Sequence, residues 1–209
     1  KLGGRYGTNV AINFSKSIYI KRSAVNDSTS INQDGTLGYQ SDFFAFGSRP
    51  FYQDFNIEIN RKINRKLRLI ATYMNLEYNM FLIGKAEKGM VNANIYIFEA
   101  QYKVKSKRLL RTELQYMDTE GDMGSWSMAL VEYTMAPHWF VAVQDLYNHG
   151  NKDEAQRVHY YTFSAGYTKG AHRIAANYGK QRAGIFCVGG VCREVPASSG
   201  LFVSLTSSF

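Results

Sequence analysis

Apolar and polar residues alternate with a period of two along most of the chain, and the pattern is plainest in the last ten residues, 200–209. There Leu201, Val203, Leu205 and Phe209 fall on one face of an extended strand, with Ser204, Thr206 and Ser208 on the other. Such a strand has one apolar neighbour and one wet one. The apolar neighbour is either the core of a sheet protein or lipid, and the rest of the chain has to decide between them.

Helical patterning is almost absent and only three prolines interrupt 209 residues, so one all-β unit over 1–209 is the economical reading. Hydrophobic residues make up 45%, mean hydropathy is -0.30, and no run approaches the length of a membrane helix. Strands that cross a membrane escape that test, because lipid-facing and lumen-facing residues alternate and dilute the hydropathy. The aromatic fraction, with 15 Tyr and 13 Phe but 2 Trp, fits girdles at two membrane interfaces, although a soluble sandwich could also be this aromatic. No signal peptide is visible at Lys1, so one has been removed or the chain is a fragment.

Period-two runs give about ten strands, joined by links that alternate between short (64–66, 106–108, 136–138, 169–171) and long (21–50, 80–90, 118–124, 148–157, 185–196). A barrel with tight turns at one end and larger loops at the other does this throughout, whereas a sandwich has no reason to. Val10, Ile12, Phe14, Phe55, Ile57, Ile59, Phe98, Leu114, Tyr161 and Phe163 read as lipid-facing. The inward set offers lumen-lining candidates of both signs: Glu58, Arg68, Glu99, Lys103, Arg111, Glu113 and Arg173. They either set the field of a constriction or pair with one another in a closed interior. Residues 126–134 and 139–147 are apolar on both faces and cannot be oriented; lipid on one side and a plug, a subunit or an infolded loop on the other would satisfy them.

Cys187 and Cys192 flank Val188-Gly189-Gly190-Val191, where a Gly-Gly turn could bring the sulfurs together as a disulfide in an oxidising compartment; free thiols or half a metal site are the alternatives. Much of the net charge of +8 clusters at the short links, in Arg61, Lys62, Arg65, Lys66, Lys105, Lys107, Arg108, Lys169 and His172. That ring either meets phospholipid headgroups or an acidic periplasmic partner, or is a solvated turn face. It does not interleave with aromatics as a nucleic-acid surface would, so nucleic acid is not expected. The aromatic run Phe43, Phe44 and Phe46 within 21–50, together with Trp126, offers contacts for a partner protein. Asp118, Glu120, Asp122, Asp145, His149 and His159 are the set that could support acid/base chemistry, but no nucleophile elbow accompanies them, and no enzyme, cofactor or metal is expected.

A terminal strand ending on an aromatic residue resembles the C-terminal strand of bacterial outer-membrane barrels, which implies that Phe209 is an insertion signal read by the insertion machinery. Placing it in the periplasm puts every short link there and makes 21–50 and 185–196 extracellular loops. The segments 9–15 and 52–58, and above all 184–196 with its Cys loop, resemble an uncharacterised outer-membrane barrel family of Bacteroidetes-type bacteria. The resemblance covers most of the chain and implies that these are the C-terminal strands of a larger barrel; it implies no activity. The expectation is therefore a transmembrane antiparallel up-and-down β-barrel in outer-membrane lipid, passing small solutes as a porin does. A non-conducting accessory subunit bound to another outer-membrane or periplasmic protein is the second reading, and a rim-site hydrolase the third.

Overall fold

The computed structural model describes residues 4, 6–24, 39–80, 89–121 and 123–208, and at 19–24 and 39–50 the backbone alone. Twelve strands follow one another: β1 (Thr8–Ala24), β2 (Tyr39–Lys62), β3 (Leu67–Asn79), β4 (Met90–Lys105), β5 (Arg108–Thr119), β6 (Trp126–Met135), β7 (Trp139–Tyr147), β8 (His159–Lys169), β9 (His172–Gln181), β10 (Gly184–Val188), β11 (Val191–Val195) and β12 (Ser198–Ser207). Ten of them form one antiparallel up-and-down sheet in the order β1 to β9 and then β12, while β10 and β11 pair only with each other. A 3-10 turn lies at Glu154–Gln156, and among the described residues no helix is long and apolar enough to cross a membrane.

The register carries the period-two pattern across the sheet. Val10 lies opposite Ile59, Ile59 opposite Ala71, Ala71 opposite Phe98 and Phe98 opposite Leu114, so the residues read as lipid-facing share one outward face. The short links are the tight turns at one end. Asn64 makes the first of them, its Oδ1 accepting from the backbone N–H groups of Lys66 and Leu67 at 2.8 and 2.9 Å, which is how an Asn side chain stands in for a backbone turn.

Three expectations change. The sheet is not closed: among the described residues β1 pairs with β2 alone and β12 with β9 alone. A barrel needs its first and last strands to meet at the spacing of about 4.8 Å that hydrogen bonding sets, and alternation along each strand says nothing about that meeting. Within the segment 21–50, residues 21–24 and 39–50 are strand, since the β1–β2 ladder continues to Ala24 and Tyr39 with shifts of register beyond Ser17. Residues 25–38 lie outside the described residues. The segment 185–196, expected as a loop, is the β10–β11 hairpin, in which Cys187 pairs across with Cys192 and the two are joined by a disulfide. Gly189 and Gly190 turn it with φ of +59° and +75°, a conformation that favours glycine at both positions and matches a two-residue hairpin turn.

A single sheet leaves much of itself uncovered. The accessible surface is 13,986 Å² for 23.7 kDa, against about 9,800 Å² for a compact monomer of that mass. Most large exposed apolar side chains are on the outward face, Leu114 at 57% and Phe163 at 53% among them. Replacing both Cys187 and Cys192 by Ser should lower the unfolding free energy by about 2 kcal/mol, the amount for so short a closed loop. Urea unfolding in detergent micelles, with and without reductant, reads it; reductant should reproduce the loss in the native chain and leave the variant unchanged.

Candidate functional site on the inward face

Register places all seven lumen-lining candidates on the inward face. Glu58 lies opposite Thr72, Arg68 opposite Gln101, Gln101 opposite Arg111, Glu99 opposite Glu113, Lys103 opposite Leu109, and Arg173 opposite Thr168. Three of them meet. Glu99 and Glu113 face each other across β4 and β5, a like-charge pair that is destabilising by itself. Arg111 resolves it by donating from Nε to Glu99 Oε2 at 2.9 Å and from Nη2 to Glu113. The remaining carboxylate oxygens accept from the amides of Gln101 and Gln115, so each of the four has a donor. Arg68 donates instead to Asn60 Oδ1 at 2.9 Å, on the strand before it.

Arg173 belongs to a second cluster, with Glu132, Phe140 and the hairpin tip. Its Nη1 and Nη2 donate to the carbonyls of Gly189 and Val188 at 2.9 and 3.1 Å, while the Gly189 N–H donates to Glu132 Oε2 at 2.8 Å. Side chains from β6 and β9 thus hold the tip from both sides. Beneath it the Phe140 ring lies between Gly189 and Gly166, its partner on β8, with the Arg173 guanidinium 4.8 Å from the ring centre. A side chain at either glycine would meet the ring, since an added Cβ would stand 2.2 Å from it at Gly166 and 2.6 Å at Gly189. Phe186 and Val188 are buried against Phe140, Ala142 and Ala175, at about 1.5–3 kcal/mol for each fully covered side chain. A cavity of about 450 Å³ remains between the hairpin edge, at Cys187 and Cys192, and Arg111, Glu113 and Met128.

These contacts orient the two segments that alternation left open. On β6 and β7 the even-numbered apolar residues Leu130, Phe140 and Ala142 point inward and are buried, while Val131, Val141 and Val143 point outward and are exposed. The infolded loop is the occupant that makes both faces apolar. Glu132, Phe140 and Gly166 are the residues that sequence reasoning missed. Glu132 carried a signal, being the single charged residue of β6.

The outward face has aromatic rows at both ends. Toward the long connections a chain of ring contacts runs Tyr73, Tyr96, Tyr116, His149, Tyr147, His159, with neighbouring centroids 4.1–6.5 Å apart. Beyond it the face turns polar, with Asn75 donating to Asn92 and Asn94, and Asn92 to Glu77. Toward the short turns Tyr167 packs on Trp139 and His138 at 4.7 and 5.4 Å. Trp139 and Tyr147 are eight residue steps apart on β7. That is about 26 Å along the strand, or roughly 20 Å along the normal of a sheet tilted by 40°.

Of the rim set, Asp145 Oδ2 and His159 Nδ1 are 2.7 Å apart, with the His159 ring stacked on Tyr147. Among the hydrogen bonds of the described residues none joins a Ser, Thr or Cys nucleophile to His159. Asp118 accepts from Ser125 Oγ at 3.2 Å, Glu120 is not drawn into the pair, and Asp122 lies outside the described residues. Trp126 is 5% exposed on the inward face, against Tyr160 and Arg182, so an external partner would reach it only by displacing them. The side chains of Phe43, Phe44 and Phe46, whose backbone lies in β2, and all of Phe209 are outside the described residues.

Fold and inward face together define an all-β protein built on one antiparallel up-and-down sheet with a disulfide-closed hairpin folded onto it. The chain belongs to the family of unknown function DUF6029, whose sequence profile matches residues 1–209. No curated protein and no solved structure matches it.

Arg111→Ala should destabilise the protein by about 3 kcal/mol, because it leaves two facing, part-buried carboxylates without their cation. The triple variant E99Q/R111Q/E113Q, which removes the charges together, should recover at least half of that loss in the same urea titration. Phe140→Ala should release the hairpin tip. Limited proteolysis in micelles would then cut within 185–196 at least ten-fold faster than in the native chain, with other sites unchanged.

Proposed function

We propose that the ten-stranded sheet is the wall of a transmembrane β-barrel in a bacterial outer membrane, and that its inward face lines a narrow passage for small polar solutes. The outward face carries this reading. It is an uncovered apolar band bounded at both ends by aromatic rows, with a spacing of roughly 20 Å along the normal against the roughly 25 Å apolar height of such barrels. An apolar surface of that extent in water would drive association, and lipid is the solvent that matches it. The charged inward face is the complementary half, because an arginine between two glutamates suits a water-filled interior.

In hydrocarbon each unpaired backbone group costs several kcal/mol, so in this reading the free edges of β1 and β12 are paired within the membrane. The short turns then lie in the periplasm, where Lys66, Lys107 and Lys169 meet anionic headgroups, and the C-terminal strand is what the insertion machinery recognises.

One observation favours the accessory reading, in which the barrel does not conduct and serves another outer-membrane or periplasmic protein. The docked hairpin occupies part of the inward face, and a barrel of about ten strands has little room to spare. Planar bilayers separate the two. For the passage, full-length protein should give conductance steps whose ion selectivity shifts toward anions in E99Q/E113Q, and larger steps when 184–195 are replaced by a short turn. A silent native protein, with the hairpin-less variant also silent, would leave the accessory reading.

A further inference from the structure

A second cavity, of about 250 Å³, opens where the root of the hairpin leaves the sheet at the long-connection end. Gln144, Tyr160, Thr162, Lys180, Gln181 and Arg182 line it, and no acidic residue is among the lining. Two features of these groups have no use within the chain. Thr162 and Gln181 are 4% and 6% exposed, yet Thr162 Oγ1 and Gln181 Nε2 have no hydrogen-bond partner among the described residues. Leaving such groups bare is unfavourable, and a ligand that pairs with them returns that cost. Lys180 and Arg182, in turn, rest on aromatic rings, 5.0 Å above Tyr160 and 4.2 Å above Trp126, and neither takes part in an ion pair among the described residues. Elsewhere on the inward face Arg111 is paired with carboxylates and Arg173 with backbone carbonyls.

We propose that this cavity binds a small hydroxylated anion: a single sugar ring bearing a phosphate or a carboxylate. The two cations, with no acid nearby, select negative charge. An inorganic anion can meet the charge, and the two bare groups that line the same cavity, the Gln181 amide N–H and the Thr162 hydroxyl, suit sugar hydroxyls, which accept from the amide and both accept from and donate to Thr162 Oγ1. Size agrees, since the cavity lies below the roughly 300–1,000 Å³ of sites for drug-sized ligands and matches one substituted ring. Thr162 and Gln181 form the fixed wall, on β8 and β9, and Arg182 is the exposed residue that closes over the charge. The site goes beyond the passage reading and does not need it, since binding can be measured without any conductance.

Arg182 over the Trp126 ring provides the signal, because an anion that draws the guanidinium away alters the indole's emission. The test uses full-length protein in micelles carrying Trp139→Phe, which leaves Trp126 as the single tryptophan. Glucose 6-phosphate and glucuronate are titrated separately, beside glucose and inorganic phosphate, with circular dichroism as the check on folding. Saturable binding of at least one sugar acid is expected, at least ten-fold tighter than glucose or phosphate, and at least ten-fold weaker in R182Q and in K180Q. Thr162→Val, which keeps shape and charge, should weaken the sugar acid and leave inorganic phosphate unchanged. No saturable response to either sugar acid in folded protein overturns the proposal. So does phosphate binding as tightly as the sugar acids, which would make the site a plain anion site, and so does affinity unchanged by R182Q and K180Q.

Discussion

The rest of the structure depends on one constraint: a single sheet has two faces, and among the described residues a cover is supplied for part of only one of them. The outward face, from Val10 on β1 to Leu205 on β12, presents its apolar residues with nothing among the described residues packed over them. Burial against a second layer, the usual source of stability for a sheet, is therefore confined to the inward side. Everything specific about the inward side follows from having to make the most of it.

There the hairpin is the substitute for a second layer. It is small, so it needs more than apolar contact to stay in place. Phe186 and Val188 supply the apolar part, and Glu132 and Arg173 fasten the tip by its backbone. The geometry is close because glycines stand where the Phe140 ring needs room, at Gly166 below and Gly189 above. Away from the hairpin the same face is polar and satisfies itself, as the four carboxylate oxygens around Arg111 show. A buried network of this kind stabilises when every member is paired and destabilises when one is removed. Buried groups left unmet among the described residues include the Asn177 amide on β9 and, where the hairpin root lifts off the sheet, Thr162 Oγ1 and Gln181 Nε2, of which the last two line a cavity.

The aromatic rows connect local sequence to the proposed environment. Tyr73, Tyr96 and Tyr116 are far apart in the chain, but antiparallel register brings them level on neighbouring strands, and the turn polar just beyond them is equally a product of register. A row of amphipathic rings between an apolar band and an amide-rich rim is suited to a boundary between hydrocarbon and water.

Alternation within each strand is a local property, so the ten strands of the main sheet, the short turns, the inward placement of Glu99, Arg111 and Glu113, and the outward placement of Leu114 and Phe163 could be read from residue order alone. The Gly-Gly turn and the disulfide were legible for the same reason, since both ends of the bridge lie within six residues. What could not be read was where separate segments meet. Segments 126–134 and 139–147 are apolar on both faces because one face receives a hairpin that lies some fifty residues later in the chain, and alternation has no term for such a neighbour. Closure was beyond it for the same reason, as it depends on β1 and β12 meeting, and among the described residues both edges are free. The sequence by itself thus determined which residues share a face; only the tertiary structure decided what each face is given to touch, because that depends on contacts between segments that the repeat along a strand does not encode.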